Sequence, residues 1–293
     1  MAEPIQVDAE THQAWVQVSH GARLMSHILA GVPRPAKPSA FGLVDAMYPF
    51  ERASIWHRSY LGAGLEHLLL WADVVAPLSV QPGQVVEHSL RPAYTLGRAA
   101  LESASQAVWM TAADSPRESV RRHLSLIRWD YKEHGKSAGD EVAKLRVQEM
   151  DARLIGRVSG EFSERELRPP TFFEVLRAAA PAAGADPDDV ERVWRAASGA
   201  AHGKHWPSLE LQHVVPLHEY EPGQFQVLFI PDPAGMTEVL RLADQMITCG
   251  VLRHAQFCGA DVEALRAEAR RWLVSKVPLR EDADPEVIAH LKR

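Results

Sequence analysis

The segment WRAASGAAHGKHW, residues 194–206, decides how the chain is read. In front of it stands Asp186-Pro187-Asp188-Asp189, an acidic first turn with a proline near its start. That opening predicts a helix, which continues through VERVWRAASGAAHG and ends near Gly203. Arg195 and His202 are seven residues apart, close to two full turns, with Ser198 between them. One face therefore presents Arg195, Ser198 and His202. The alanines and Gly199 suit the close approach of a neighbouring helix. Two readings stand side by side. The face is reactive, or Arg195 pairs with Glu191 one turn back and His202 serves the helix dipole.

Outward from this segment the pattern is helical. Residues 51–76 place Leu61, Leu65, Leu68, Leu69 and Val75 at helical spacing, and Gly62 and Gly64 read as close helix contacts. A turn is expected at 77–84. A second helix spans 88–113, with Pro92 kinking it or sitting in its first turn. Asp114-Ser115-Pro116 opens a third helix that stops near Gly135, and a fourth covers 139–158. A short helix begins at Thr171. Beyond the opening segment, 208–233 holds two alternating or β-branched runs around EPGQ, a hairpin in which Pro216 marks an edge or a bulge. Long helices follow from 233 and over 261–277, and the polar tail 278–293 has room for one more turn. Toward the N-terminus, 14–31 reads as a short helix and 32–42, with three prolines, as a loop or linker.

Each helix carries only an apolar stripe, so the helices must bury those stripes against one another. The expected class is mainly α, a helical bundle with one inserted β-hairpin. Its expected parts are a short helix and Pro-rich linker (1–44), the bundle core (45–205), the hairpin (206–232) and C-terminal helices packed on the core (233–293).

The totals bound the function. The chain has 293 residues, 46% of them hydrophobic, and a formal charge of -6 from 32 Lys+Arg against 38 Asp+Glu. That balance argues against a broad duplex-DNA surface, which rests on many neutralised phosphates. It leaves room for a local basic patch. Cys249 and Cys258, nine apart, fall on opposed faces of one helix, so no disulfide is expected and a reducing cytoplasm is the expected setting. The first residues show no basic stretch leading into an apolar run, which argues against a signal peptide. The most apolar run, 61–78, contains Glu66, His67 and Asp73 and meets Pro77, so it is too short and polar for a membrane span. Phosphate-binding glycine loops, His-Glu-x-x-His, paired-cysteine zinc motifs and Gly-x-Ser-x-Gly are all missing from the sequence. Rossmann, kinase and α/β-hydrolase readings fall away, and no metal or cofactor is expected.

Three groups of residues carry chemistry. A histidine such as His202 works as general base near neutral pH, and an arginine such as Arg195 holds phosphate and offsets its charge. Together they suit metal-free RNA cleavage, with His205 or Lys204 assisting the leaving group. Arg98 and Glu102, four apart and flanked by Tyr94, form either the floor of a polar pocket or a pair that holds a helix in register. Arg121, Arg122 and Arg128, with Lys204, make a nucleic-acid patch or an ordinary solvated face. Trp56, Trp71, Trp109 and Trp194 read as core anchors. His57 and His67 are expected to serve packing or solvent.

On Arg195, six intervening residues and His202, the chain resembles the HEPN superfamily, the higher eukaryotes and prokaryotes nucleotide-binding domain. Its active members carry Arg, then four to six residues, then His, late in an all-α domain of four or five helices. The small-residue run before His202-Gly203 resembles the late helix of bacterial members, and Arg98-AAL-Glu102 is similar to a polar pair some of them place in an earlier core helix. Ala196 stands where many active nucleases have Asn or Asp. The resemblance covers residues 50–205. It implies a metal-independent endoribonuclease of toxin or defence type, acting on RNA as a homodimer, with an antitoxin or regulatory protein as partner. A non-catalytic interaction module and a small-ligand-binding helical protein are the alternatives.

Overall fold

The computed structural model describes residues 7–79 and 89–277. The front of the second helix at 88, most of the turn at 77–84 and the tail 278–293 lie outside the described residues. In chain order the elements are α1 (Ala9–Gly31), α2 (Ala40–Met47), α3 (Ala53–Val75), α4 (Leu90–Thr111), α5 (Pro116–Ser137), α6 (Glu141–Val158) and α7 (Phe172–Ala179). A 3-10 turn (Ala180–Ala183) leads to α8 (Pro187–Ala201) and the short α9 (Trp206–Glu210). The strands β1 (Gln212–Glu221) and β2 (Gln224–Pro231) follow, then α10 (Pro233–Cys258) and α11 (Val262–Lys276). The protein is a mainly α bundle with one small inserted antiparallel hairpin.

The helix starts are written in the sequence. Asp8, Ser39, Ser115, Asp140, Thr171, Asp186, Asp232 and Asp261 each sit at an N-cap and accept a backbone N–H with the side chain. Thr171 and Glu174 close a full capping box. Pro92 lies in the first turn of α4, where a missing N–H costs little. Several helix ends are closed from a distance. The buried Arg23 of α1 donates to the carbonyls of Ala72 and Ala76 and to Asp73 at the end of α3. Arg253 of α10 does the same for Thr111 at the end of α4.

α4 is the hub, with α3, α5, α7, α8 and α10 packed around it. Close helix approach rests on glycine: a Cβ at Gly250 would lie 2.5 Å from Leu61 Cδ2, and one at Gly64 would lie 3.1 Å from the Ala100 carbonyl oxygen. Of the two glycines expected to serve such contacts, Gly64 does; Gly62 faces open space.

The structure corrects the N-terminal region. The short helix is the 23-residue α1, and it packs across α3 and α10 with Trp15, Val18 and Ile28 in the core. The end of the expected linker is α2, which buries Phe41 and Val44. The expected hairpin also begins later, because Ser208–Glu210 lie in α9. The hairpin itself is a two-stranded ribbon with Val214 opposite Phe229 and Pro216 opposite Val227. Its register breaks just after Pro216 and again between Glu219 and Glu221. Its chief neighbour is α9.

Candidate functional site

α8 ends as its sequence implies. Ala201 is its last residue, His202 the C-cap, and Gly203 adopts φ 66°, the left-handed region open to glycine. Gly203 N–H donates to the Ala200 carbonyl and Lys204 N–H to that of Gly199, the paired bonds of a Schellman end. Gly199 is needed here because Trp206 and Pro207 fold back on it; a Cβ would meet Trp206 at 2.8 Å. This corner leaves His202 exposed.

α8 packs on α4, and the two polar groups singled out separately in the sequence meet there. Arg98 Nε donates to Glu102 Oε1 at 2.8 Å, and Trp194 Nε1 donates to the same oxygen at 2.6 Å. Arg98 Nη1 lies 3.0 Å from His202 Nε2. A guanidinium has no lone pair to offer, so Arg98 is the donor and Nε2 the acceptor. His202 therefore accepts through Nε2 in this contact. The side chains of Arg98 and Glu102 are only 20% and 14% exposed, which shields this pair better than a surface ion pair. The chain Trp194–Glu102–Arg98–His202 thus ties α8 to α4 and fixes one ring nitrogen of an exposed histidine.

The remaining candidates fall elsewhere. Arg195 is 60% exposed and donates through Nε to Glu191 Oε1 at 2.8 Å, the pairing expected one turn back. Glu191 is shared with Arg177, which also reaches Asp188, and both guanidiniums lie 5.6 Å from the Phe173 ring. Ser198 is half-buried between the two clusters and gives its carbonyl to His202 N–H. Lys204 and His205 are exposed in the turn leading to α9. Tyr94 does not join the polar group. It is buried one turn before Arg98, its hydroxyl 2.4 Å from where a Gly235 Cβ would stand, and burial together with Asp232 and Glu238 pushes its phenol well above the usual value. Trp194 and His202 are the hydrogen-bonding neighbours of Glu102 and Arg98.

The arginines of α5 are structural ties. Arg121 and Arg122 share Glu118, Arg121 also donates to the Glu166 carbonyl, and Arg122 to that of Trp109. Arg128 grips both Asp151 oxygens and the Leu167 carbonyl. Their guanidiniums are paired with carboxylates inside the molecule. Arg121, Trp109, Arg165, Arg168 and Glu174 also line an open cavity of about 300 Å³.

Two buried polar features escaped the sequence reading. His57 of α3 and His254 of α10 stack with centroids 5.1 Å apart and Nδ1 atoms 3.2 Å apart, and Cys258 Sγ lies 3.7 Å from His254 Nε2. Burial holds the His57 imidazole well below its usual value and, with Arg58 nearby, brings His254 down to about 4. Asp244 of α10 faces Gly21 of α1; its Oδ1 is closed off without a hydrogen-bond partner, and burial raises the carboxyl to about 7. The His254/Cys258 spacing of four was the one available signal. The sequence separation of 197 between His57 and His254 left nothing else to read.

Among the described residues no group of three His, Cys, Asp or Glu side chains is placed to hold a metal ion, and no helix is long and apolar enough to cross a membrane. No protein family, curated protein or solved structure matches the chain in comparisons of sequence and fold.

Proposed function

We propose that the chain is a metal-independent endoribonuclease of HEPN type, with His202 as general base. The observation that carries this reading is the exposed His202 imidazole, held by Arg98 with Nε2 as acceptor. Arg98 is then a second cation beside the base, additional to Arg195 of the Arg/His motif. An incoming phosphodiester draws the Arg98 guanidinium onto its non-bridging oxygens, which releases Nε2. Nε2 takes the proton of the ribose 2′-hydroxyl, the O2′–P bond forms and the P–O5′ bond breaks. The leaving O5′ takes a proton from His205 or water. The products are a 2′,3′-cyclic phosphate end and a 5′-hydroxyl end. Arg195, two turns up the same helix, contacts the flanking backbone.

The test is cleavage of an RNA oligonucleotide by purified protein in the presence of a chelator. H202A is expected to lower the rate about 100-fold or more, and R98A more than R195A. An H202A protein of unchanged helicity that cleaves as fast as wild type overturns the assignment, as does a wild-type protein without cleavage. The rival reading, a non-catalytic interaction module, is favoured by one observation, the apolar side chains exposed along the β1–β2 ribbon.

A further inference from the structure

The segment between α6 and α7 is pinned from α5 by arginines that reach its backbone. Arg117 Nη2 donates to the Glu161 carbonyl, Arg121 Nη1 to that of Glu166 and Arg128 Nη1 to that of Leu167. Leu167 and Pro170 are buried. Between this fixed segment and the end of α4 lies the open cavity of about 300 Å³, the lower end of the size range in which proteins hold small ligands. Its apolar wall is Trp109, only 8% exposed, together with Pro170. The Arg122 guanidinium lies 5.4 Å from the Trp109 ring centroid and donates to the Trp109 carbonyl, so the indole is held in place.

The polar lining offers more donors than acceptors. Glu166 already accepts from the Ser163 N–H and hydroxyl and from Arg117. Glu174 accepts from Arg168 and from the Thr171 N–H and hydroxyl. These bonds, from Ser163 above all for Glu166 and from Arg168 above all for Glu174, hold both carboxyls down at about 2. Both are therefore charged at neutral pH, with their oxygens occupied. Arg121 grips both oxygens of Glu118. Arg165 differs from its neighbours: it is exposed, it lines the cavity, and its guanidinium forms no ion pair or hydrogen bond among the described residues. Its planar fork of N–H donors is free for a ligand.

Charge and shape narrow that ligand. Arg121, Arg165 and Arg168 line the cavity with Glu166 and Glu174, which leaves one positive charge in excess. A monoanion balances the excess, whereas a phosphate dianion overshoots it beside two fixed carboxylates. A carboxylate matches the guanidinium fork with two parallel hydrogen bonds, and a flat ring has the indole to stack on. We propose that the cavity binds a small aromatic monocarboxylate, its carboxylate gripped by Arg165 and its ring laid on Trp109. Trp109 stands about three turns along α4 from Arg98, so the proposal is independent of the role of His202.

The experiment is calorimetric titration of the full chain near neutral pH with 2-naphthoate, its uncharged amide and 2-naphthyl phosphate, beside R165A, R165K and the α6 surface control R153A. Wild type and R153A are expected to bind 2-naphthoate with a Kd below about 1 mM. R165A is expected to weaken that binding about 10-fold or more, and R165K to fall between, because an ammonium keeps the charge and loses the fork. Arg165 has no partner within the protein to lose, so R165A is expected to melt as wild type does. A wild-type chain that takes up no 2-naphthoate to about 1 mM, or an R165A chain that binds it as wild type does, overturns the proposal. So does an amide or a phosphate ester that binds as tightly as the carboxylate.

Discussion

Glu102 is the residue on which the candidate site turns. One of its oxygens accepts from both Arg98 and Trp194, and Arg98 in turn meets His202. Glu102→Ala leaves an indole and a guanidinium without their acceptor in a largely shielded place. The expected loss is about 2 kcal/mol, read from chemical denaturation, with RNA cleavage falling in parallel because Arg98 is no longer aimed. Asp244 gives a residue-scale test of opposite sign. Its folded value of about 7 lies above the 3.8 of an ordinary aspartate, so its contribution favours folding at low pH and is lost as pH rises through 7. Asp244→Asn is therefore expected to gain stability relative to wild type by on the order of 2–3 kcal/mol between pH 5 and pH 8, measured by thermal unfolding at both. At this scale the sequence offered Arg98 and Glu102 as a pair on one helix and His202 on another. Their meeting spans 104 residues, and only the packing of α8 on α4 creates it.

At the scale of elements, periodicity and caps made most of the bundle legible. α5, α6, α8 and α10 begin and end close to where apolar spacing and the Asp or Ser caps put them, and α3 close to where apolar spacing alone puts it. α1 was under-read because its buried face is built from Ala14, Ser19, Ala22 and Arg23 as much as from large apolar residues. Ser19 and Arg23 are tolerated there because both hydrogen-bond to backbone carbonyls. α2 was hidden behind prolines, although Gly42 marks it: a Cβ there would stand 2.2 Å from the Ala36 carbonyl oxygen. The helix contacts themselves are testable. Gly250→Ala drives a methyl into Leu61 and is expected to cost about 1–3 kcal/mol, whereas Gly62→Ala, facing open space, is expected to be neutral or mildly stabilising. Denaturant midpoints of the two variants decide the matter.

For the whole molecule, acid is the weak direction. Burial brings His123 and His254 down to about 4 and His57 well below its usual value, so the unfolded chain binds more protons than the folded one as pH drops below 6.5. The contribution of these histidines is complete above that value and drains away toward pH 4. Asp244 works against this trend but is one group against three. The melting temperature is expected to fall steeply between pH 6.5 and pH 4.5, and a His57→Phe/His254→Phe variant to show a shallower slope.

The stacked pair in the core has one more property. A hydrogen bond between two Nδ1 atoms 3.2 Å apart needs a hydrogen on one and a lone pair on the other, so two neutral rings joined this way hold opposite tautomers. When His254 carries that hydrogen, its Nε2 is bare and Cys258 points its S–H inward. When His57 carries it, Nε2 is protonated and the thiol becomes the acceptor. Alkylation of Cys258 removes the S–H and leaves the sulfur an acceptor alone, which is expected to select the arrangement with the hydrogen on His57 Nδ1 and His254 Nε2.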